Sequence, residues 1–331
     1  MDLEQRTFQF IKKNKLISPR GLVLIGVSGG ADSMALLYVL SNLRHDLGVH
    51  IQAVHFNHRL RTQADSDEAF VGRWCKKLNV PLTVGRREGG KVSRLSEDDA
   101  RQLRFDFFAK TARSLKAQSV ALAHTRNDLA ETVLMRLMRG TGLYGLRAIL
   151  PRRSIEGIIF VRPLLELSRI DIEKYLKIKK VPFRTDATNH QLLYERNKVR
   201  HQLLPLMARK FNPRIINALS DLAATAGEDY EFLSAYAQKF YDKNVIVAKN
   251  KVKIDLTPIK RQHPAIVRLL LRQMVEVLTN DPASLSFEHI HALEGLVSQD
   301  GPGALDLPFS IKAVRDKKSL ELFCLSAIPL I

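Results

Sequence analysis

Six consecutive residues, Ser28-Gly29-Gly30-Ala31-Asp32-Ser33, follow the apolar run Leu22–Val27 and open the helix-period segment Ala31–Leu43. In that setting backbone N–H groups can converge on an anion at the positive end of a helix, and the glycines let the main chain come close. Neither G-x-x-x-x-G-K-[ST] nor G-x-G-x-x-G is present, so the usual P-loop and dinucleotide readings are unsupported. The plainer alternative is a tight turn with a capping serine. Asp128 and Glu131, three apart, share a helical face with Arg139 continuing along it, and two carboxylates so placed could hold an ammonium group or be ordinary solvated acids. Arg101 and Arg104 also share a face, where a guanidinium could pair with a phosphate or a carboxylate, or with Asp98 or Asp106 at the surface. Arg196 and Arg200, four apart, form a basic cluster with Arg184, Lys198, Arg209, Lys210 and Arg214. Such a cluster binds RNA backbone by counterion release, unless it is simply a solvated face. His55, His58 and His124 each end a strand or begin the next loop, and no HExxH or Cys–His spacing supports zinc.

The elements that must hold these groups read as an α/β fold, a doubly wound, mainly parallel sheet. Short apolar runs at Leu22–Val27, Val49–His55, Pro81–Gly85 and Ser119–Ala123 alternate with helical segments at Ala31–Leu43, Ala64–Leu78, Glu97–Leu115 and Asn127–Met138. Open sheets bind ligands at the carboxyl ends of their strands, which here are Ser28–Ser33, His55–Arg61 and His124–Glu131. A helix over Ser168–Lys179 precedes a polar, basic stretch, Pro182–Arg200, that reads as a loop or bridge. Past a boundary at Asn212–Pro213, a stripe of Leu219, Leu222, Ala226, Tyr230, Leu233, Ala237 and Phe240 begins a second domain, 213–331. Helices at Pro264–Leu278 and Phe287–Val297 and short alternating runs from Ala304 onward make it mostly helical with a small β element. At 331 residues two domains are expected, 1–212 being the first. The excess of 52 basic over 34 acidic residues, +18, favours a polyanionic partner. Two distant cysteines, Cys75 and Cys324, fit a reducing cytoplasm, and no apolar run is long enough to span a membrane.

The hexapeptide resembles the pyrophosphate loop of the N-type ATP pyrophosphatases, which split ATP between its α and β phosphates and leave an adenylate on the substrate. The resemblance implies that Ser28, Gly29, Gly30, Ala31 and Ser33 hold the β and γ phosphates and that Asp32 holds Mg²⁺. Further runs narrow the family. Ala53-Val54-His55-Phe56-Asn57-His58-Arg59-Leu60-Arg61, then Ala123-His124 with Asp128 and Glu131-Thr132, and Leu137-Met138-Arg139-Gly140-Thr141-Gly142 are similar to the tRNA(Ile)-lysidine synthetases. So are Arg162-Pro163-Leu164-Leu165, Asp186-Ala187-Thr188-Asn189, and Arg196-Asn197 with Arg200. Those ligases use ATP to join lysine to C2 of the wobble cytidine in an isoleucine tRNA with a CAU anticodon, making lysidine and changing decoding from AUG to AUA. The resemblance puts His55 and His124 around the nucleotide and assigns Asp128 and Glu131 to lysine recognition. Asp32 and Arg104 join them in the chemistry, and Arg139, Arg196, Lys198 and Arg200 fall to the tRNA.

The chain departs from the pattern at Asn127-Asp128-Leu129, where many relatives have Asp-Asp-Gln. The resemblance also predicts no counterpart of the further C-terminal domain found in longer members. Two alternatives stay open. One is a tRNA-thiolating relative, whose chemistry usually needs paired cysteines. The other is a catalytically silent RNA-binding protein that kept the fold.

Overall fold

The computed structural model describes residues 1–59, 63–87, 96–184, 195–279 and 285–325. Leu60 and Arg61 of the histidine motif and Asp186-Ala187-Thr188-Asn189 lie outside them. Two compact units form, one from Met1–Gly140 with Gly145–Ala224 and the other from Thr141–Tyr144 with Thr225–Ile331.

In the first unit the chain runs α1 (Leu3–Lys13), β1 (Leu22–Gly26), α2 (Ala31–Leu47), β2 (His50–Asn57), α3 (Ala64–Lys77), β3 (Leu82–Arg86), α4 (Glu97–Ser114), β4 (Ser119–Ala121) and α5 (Arg126–Met138). After a one-turn helix α6 (Leu143–Leu146), whose first two residues fall to the other unit, come β5 (Arg152–Ile155), β6 (Ile158–Val161), α7 (Arg169–Ile178), α8 (Glu195–Lys198), a π-helical turn at Val199–Leu203 and α9 (Leu204–Lys210). The sheet order is β3-β2-β1-β4-β6-β5, parallel except for the β5–β6 hairpin. Strand β1 is apolar throughout because both its faces are covered: Val23 and Ile25 join the large core with α2, while Leu24 packs on the other face with Phe108 of α4. The chain builds outward from β1 through β2 to β3 and then returns to β4 on the opposite side. The topological switch, where an open sheet offers a crevice, therefore lies between the carboxyl ends of β1 and β4. The loops leaving those two strands carry Ser28–Ser33 and His124–Glu131.

Helix α10 (Ile215–Asn244) carries the predicted stripe, and the division into units falls within it, at 224/225, past the Asn212–Pro213 boundary expected from sequence. The second unit continues with β7 (Val245–Ala248), β8 (Lys251–Asp255), α11 (Leu256–Lys260), α12 (Pro264–Thr279), α13 (Phe287–Ser298), β9 (Gly303–Leu307), β10 (Ile311–Arg315) and β11 (Ser319–Cys324). Its β element is larger than expected, a five-stranded antiparallel sheet β7-β8-β11-β10-β9. Val252 and Ile254 of β8 face the same core as Leu320 and Leu322 of β11, and α12 and α13 cover it. Helix α1 and the β5–β6 hairpin were also absent from the expected elements. The first is fixed by a capping box of Asp2 and Gln5 and docked by Glu4, whose carboxylate accepts from the Tyr175 hydroxyl at 2.5 Å.

Candidate active site

The loop after β1 is bent by Gly29, whose φ of +91° suits glycine alone. Gly30 has an ordinary extended backbone, φ −73°, and caps α2 without any side-chain bond to the helix N–H groups. The serines brace the loop from within. Ser33 Oγ donates to the Gly30 carbonyl at 2.9 Å and accepts from the Ser28 N–H at 3.1 Å, and the two hydroxyls lie 3.1 Å apart. His55 is buried behind this bend, its Nδ1 2.8 Å from the Val27 carbonyl, so it props the loop instead of facing an incoming ligand with that nitrogen.

Asp32, on the first turn of α2, bonds Arg169 at 2.5 Å through Oδ2, while its Oδ1 is buried with no hydrogen-bond partner. Burial, reinforced by the nearby Asp128 charge and opposed by Arg169, pushes the Asp32 carboxyl up to about 6. Arg169 is a residue of this site that sequence reasoning missed. It opens α7, where a cation opposes the helix dipole, and that local misfit is the signal that an acid must face it. Its backbone N–H donates to Asn127 Oδ1 at 2.9 Å and its Nε to Glu173 at 2.7 Å. The amide side chain of Asn127 therefore anchors the start of α7 to the start of α5.

On α5, Asp128 serves two purposes. Oδ2 closes a capping box with Thr125, accepting its N–H at 2.8 Å, and Oδ1 accepts from Arg200 at 3.1 Å. Burial opposes its ionisation, but Arg196, Arg200 and the Thr125 N–H hold the carboxyl below its usual range. Glu131, 1% exposed, accepts from Arg196 Nε at 2.9 Å and from Arg200 Nε at 2.6 Å. Arg196 and Arg200, expected in an outward basic cluster, are thus turned onto the acid pair. They reach it because the stretch expected as a loop winds into α8 and the π-helical turn, which carries both guanidiniums toward α5. Lys198 between them stays exposed, and Arg139 caps α5 at the surface, paired with Glu195 at 2.7 Å. Arg104 lies half-buried on α4. His124 sits at the end of β4 with Nδ1 buried and unpartnered, and burial drives its pKa down, so the ring is neutral.

Three carboxylates, Asp32, Asp128 and Glu131, thus meet three guanidiniums, Arg169, Arg196 and Arg200. Their formal charges cancel, so an anion arriving at the loop needs a cation with it, and the unpartnered Asp32 Oδ1 is a hard oxygen donor suited to one.

The PP-loop domain model matches residues 1–207. Over 323 residues the chain is 34% identical to the tRNA(Ile)-lysidine synthase of Caldanaerobacter subterraneus subsp. tengcongensis, covering 96% of this chain and 68% of that protein. The chain belongs to the tRNA(Ile)-lysidine synthase family of PP-loop proteins. The family's member from Geobacter sulfurreducens is 36% identical over 314 residues, 92% of this chain and 66% of its own length. That from Thermotoga sp. is 39% identical over 235 residues, 69% and 55%. The chain spans between about half and two thirds of the length of these three relatives. In fold it is similar to the U34-tRNA thiolase NcsA from Methanococcus maripaludis, with a TM-score of 0.55 at 14% identity over 67% of this chain and 78% of that one.

Proposed function

We propose that this chain uses ATP to join lysine to C2 of the wobble cytidine in an isoleucine tRNA with a CAU anticodon, releasing AMP and diphosphate. The observation that carries this reading is the meeting of the Gly29-bent loop with the Asp128–Glu131 pair across the β1/β4 switch, in a chain of this family. The N–H groups at the start of α2, left without a side-chain cap, take the β and γ phosphates. Asp32, through its unpartnered Oδ1, would hold Mg²⁺, whose charge would offset that of a departing diphosphate. In the first step cytosine O2 bonds the α phosphorus as its bond to the bridging oxygen breaks and diphosphate leaves. In the second, the lysine ε-nitrogen bonds C2, the C2–O bond breaks, AMP leaves and the nitrogen gives up its proton. Asp128, held ionised, suits gripping an ammonium better than taking a proton, so we assign it and Glu131 to holding lysine. Lysine must then displace Arg196 and Arg200 or share the acids with them.

A sulfur-transfer reading finds little support in Cys75, which is buried with its thiol pushed up to about 11 by desolvation. The deciding experiment is diphosphate release with lysine and the CAU-anticodon tRNA. Lysine-dependent modification supports the ligase; tRNA binding without release points to a silent binder, and release without lysine incorporation to another acceptor. Glu131→Gln is expected to lower lysine incorporation at least tenfold with adenylation of the tRNA less affected. Equal loss of both half-reactions contradicts this division of labour.

A further inference from the structure

Arg162 directly follows β6, at the ligand end of the sheet, and only 5% of it is exposed. One guanidinium nitrogen donates to the carbonyls of Leu150 at 2.9 Å and Phe160 at 3.4 Å, while Nε is buried with no hydrogen-bond partner. Among the described residues no carboxylate pairs with it. The charges that reach it belong to Arg153 and Arg101, and together with burial they draw its pKa down to about 10. A buried cation among cations is costly unless an anion completes the site. Strand β6 stands two places from β1 in the sheet, roughly 10 Å at the usual strand spacing of about 4.8 Å, too far for an anion there to be a phosphate seated on the β1 loop. His124, at the end of the intervening β4, feels Asp128 as well as Arg162, Arg196 and Arg101. The neutral His124 imidazole thus feels both a carboxylate, itself paired with Arg196 and Arg200, and the Arg162 guanidinium, which has no carboxylate partner among the described residues; a zwitterionic amino acid would find there an acid for its ammonium and a cation for its carboxylate.

We infer that Arg162, aided by Arg101, binds the α-carboxylate of the amino acid consumed in the reaction, with Asp128 and Glu131 at its ammonium end. The inference rests on the lysine-ligating reading above. So enclosed a guanidinium suits a small carboxylate better than the backbone of a folded RNA.

The test compares lysine with lysinamide, in which a neutral amide replaces the carboxylate, using the full chain, ATP and CAU-anticodon tRNA. The wild type is expected to prefer lysine by about 100-fold in kcat/KM, the worth of charged hydrogen bonds. Arg162→Gln should erase that preference through the KM for lysine, leaving the KM for ATP and for tRNA in place, and Arg162→Lys should restore part of it. Because Arg162 also holds two carbonyls, the wild-type comparison decides even if the variants fail to fold. Equal use of lysine and lysinamide overturns the inference alone, as does a variant that raises the KM for ATP or tRNA and spares lysine. Absence of any lysine incorporation by the wild type overturns the ligation reading, and this one with it.

Discussion

Gly29 and Gly30 stand side by side yet answer to different demands. Gly29 has φ +91°, so alanine there strains the backbone by about 1–2 kcal/mol. A Cβ on Gly30 meets only Ser28 Oγ, at 3.6 Å, and its φ is ordinary, so the fold itself does not need glycine at that point. Gly30→Ala is expected to melt at or slightly above the wild-type temperature while the KM for ATP rises at least tenfold; Gly29→Ala should lose both stability and activity. Asp32 makes the complementary point in charge. Its carboxyl titrates at about 6, above the ordinary value of 3.8, so the folded state disfavours the ionised form. The sign follows: the contribution of Asp32 to stability is most favourable below about pH 4 and is lost as pH rises through 6. Asp32→Asn stands in for the protonated form. It should therefore be more stable than the wild type at pH 8 by about 1–2 kcal/mol, the gap closing near pH 4, while diphosphate release is lost. Denaturation curves at the two pH values check the first part, and no difference at pH 8 refutes it.

At the scale of elements, Asn127 ties two helix starts together through the Arg169 N–H. Asn127→Ala is expected to cost about 1 kcal/mol in urea denaturation, whereas Asn127→Asp, which keeps the acceptor, should cost less. What the sequence made legible follows the same logic of who faces whom. Strand β1 reads clearly because burial on both faces demands an unbroken apolar run, β2 and β4 because apolar residues fill their buried centres, and the Ser28–Ser33 loop because its glycines and hydroxyls are contiguous. Strand β5, Arg-Arg-Ser-Ile, lies at a sheet edge where nothing enforces alternation, and β7 follows so closely on α10 that its apolar residues merge with the helical stripe. Arg196 and Arg200 were visible as charge but not as partners of Glu131. The pairs span 65 and 69 residues, and spacing along the chain carries no record of a contact made by packing.

For the whole molecule, that difference decides how the net charge of +18 is used. An RNA phosphate gains from a lysine or arginine whose counterions are bulk ions, and each such contact steepens the fall of affinity with salt by about one unit of slope. Arg196 and Arg200 already have Asp128 and Glu131 as counterions, so their pairing with phosphate would release little. Lys198, exposed on the same short stretch of chain, is in the opposite state. We therefore expect Lys198→Gln to reduce the slope of log affinity against log salt for tRNA by about 1 while sparing the KM for lysine. Arg200→Gln should leave the slope nearly unchanged and act on lysine use, because it strips a partner from a buried glutamate. Filter binding from 50 to 200 mM salt, roughly the range in which such slopes are read, separates the two. If both variants lower the slope equally, the arginines leave α5 when RNA arrives, and the acid pair is uncovered by the same event that seats the anticodon.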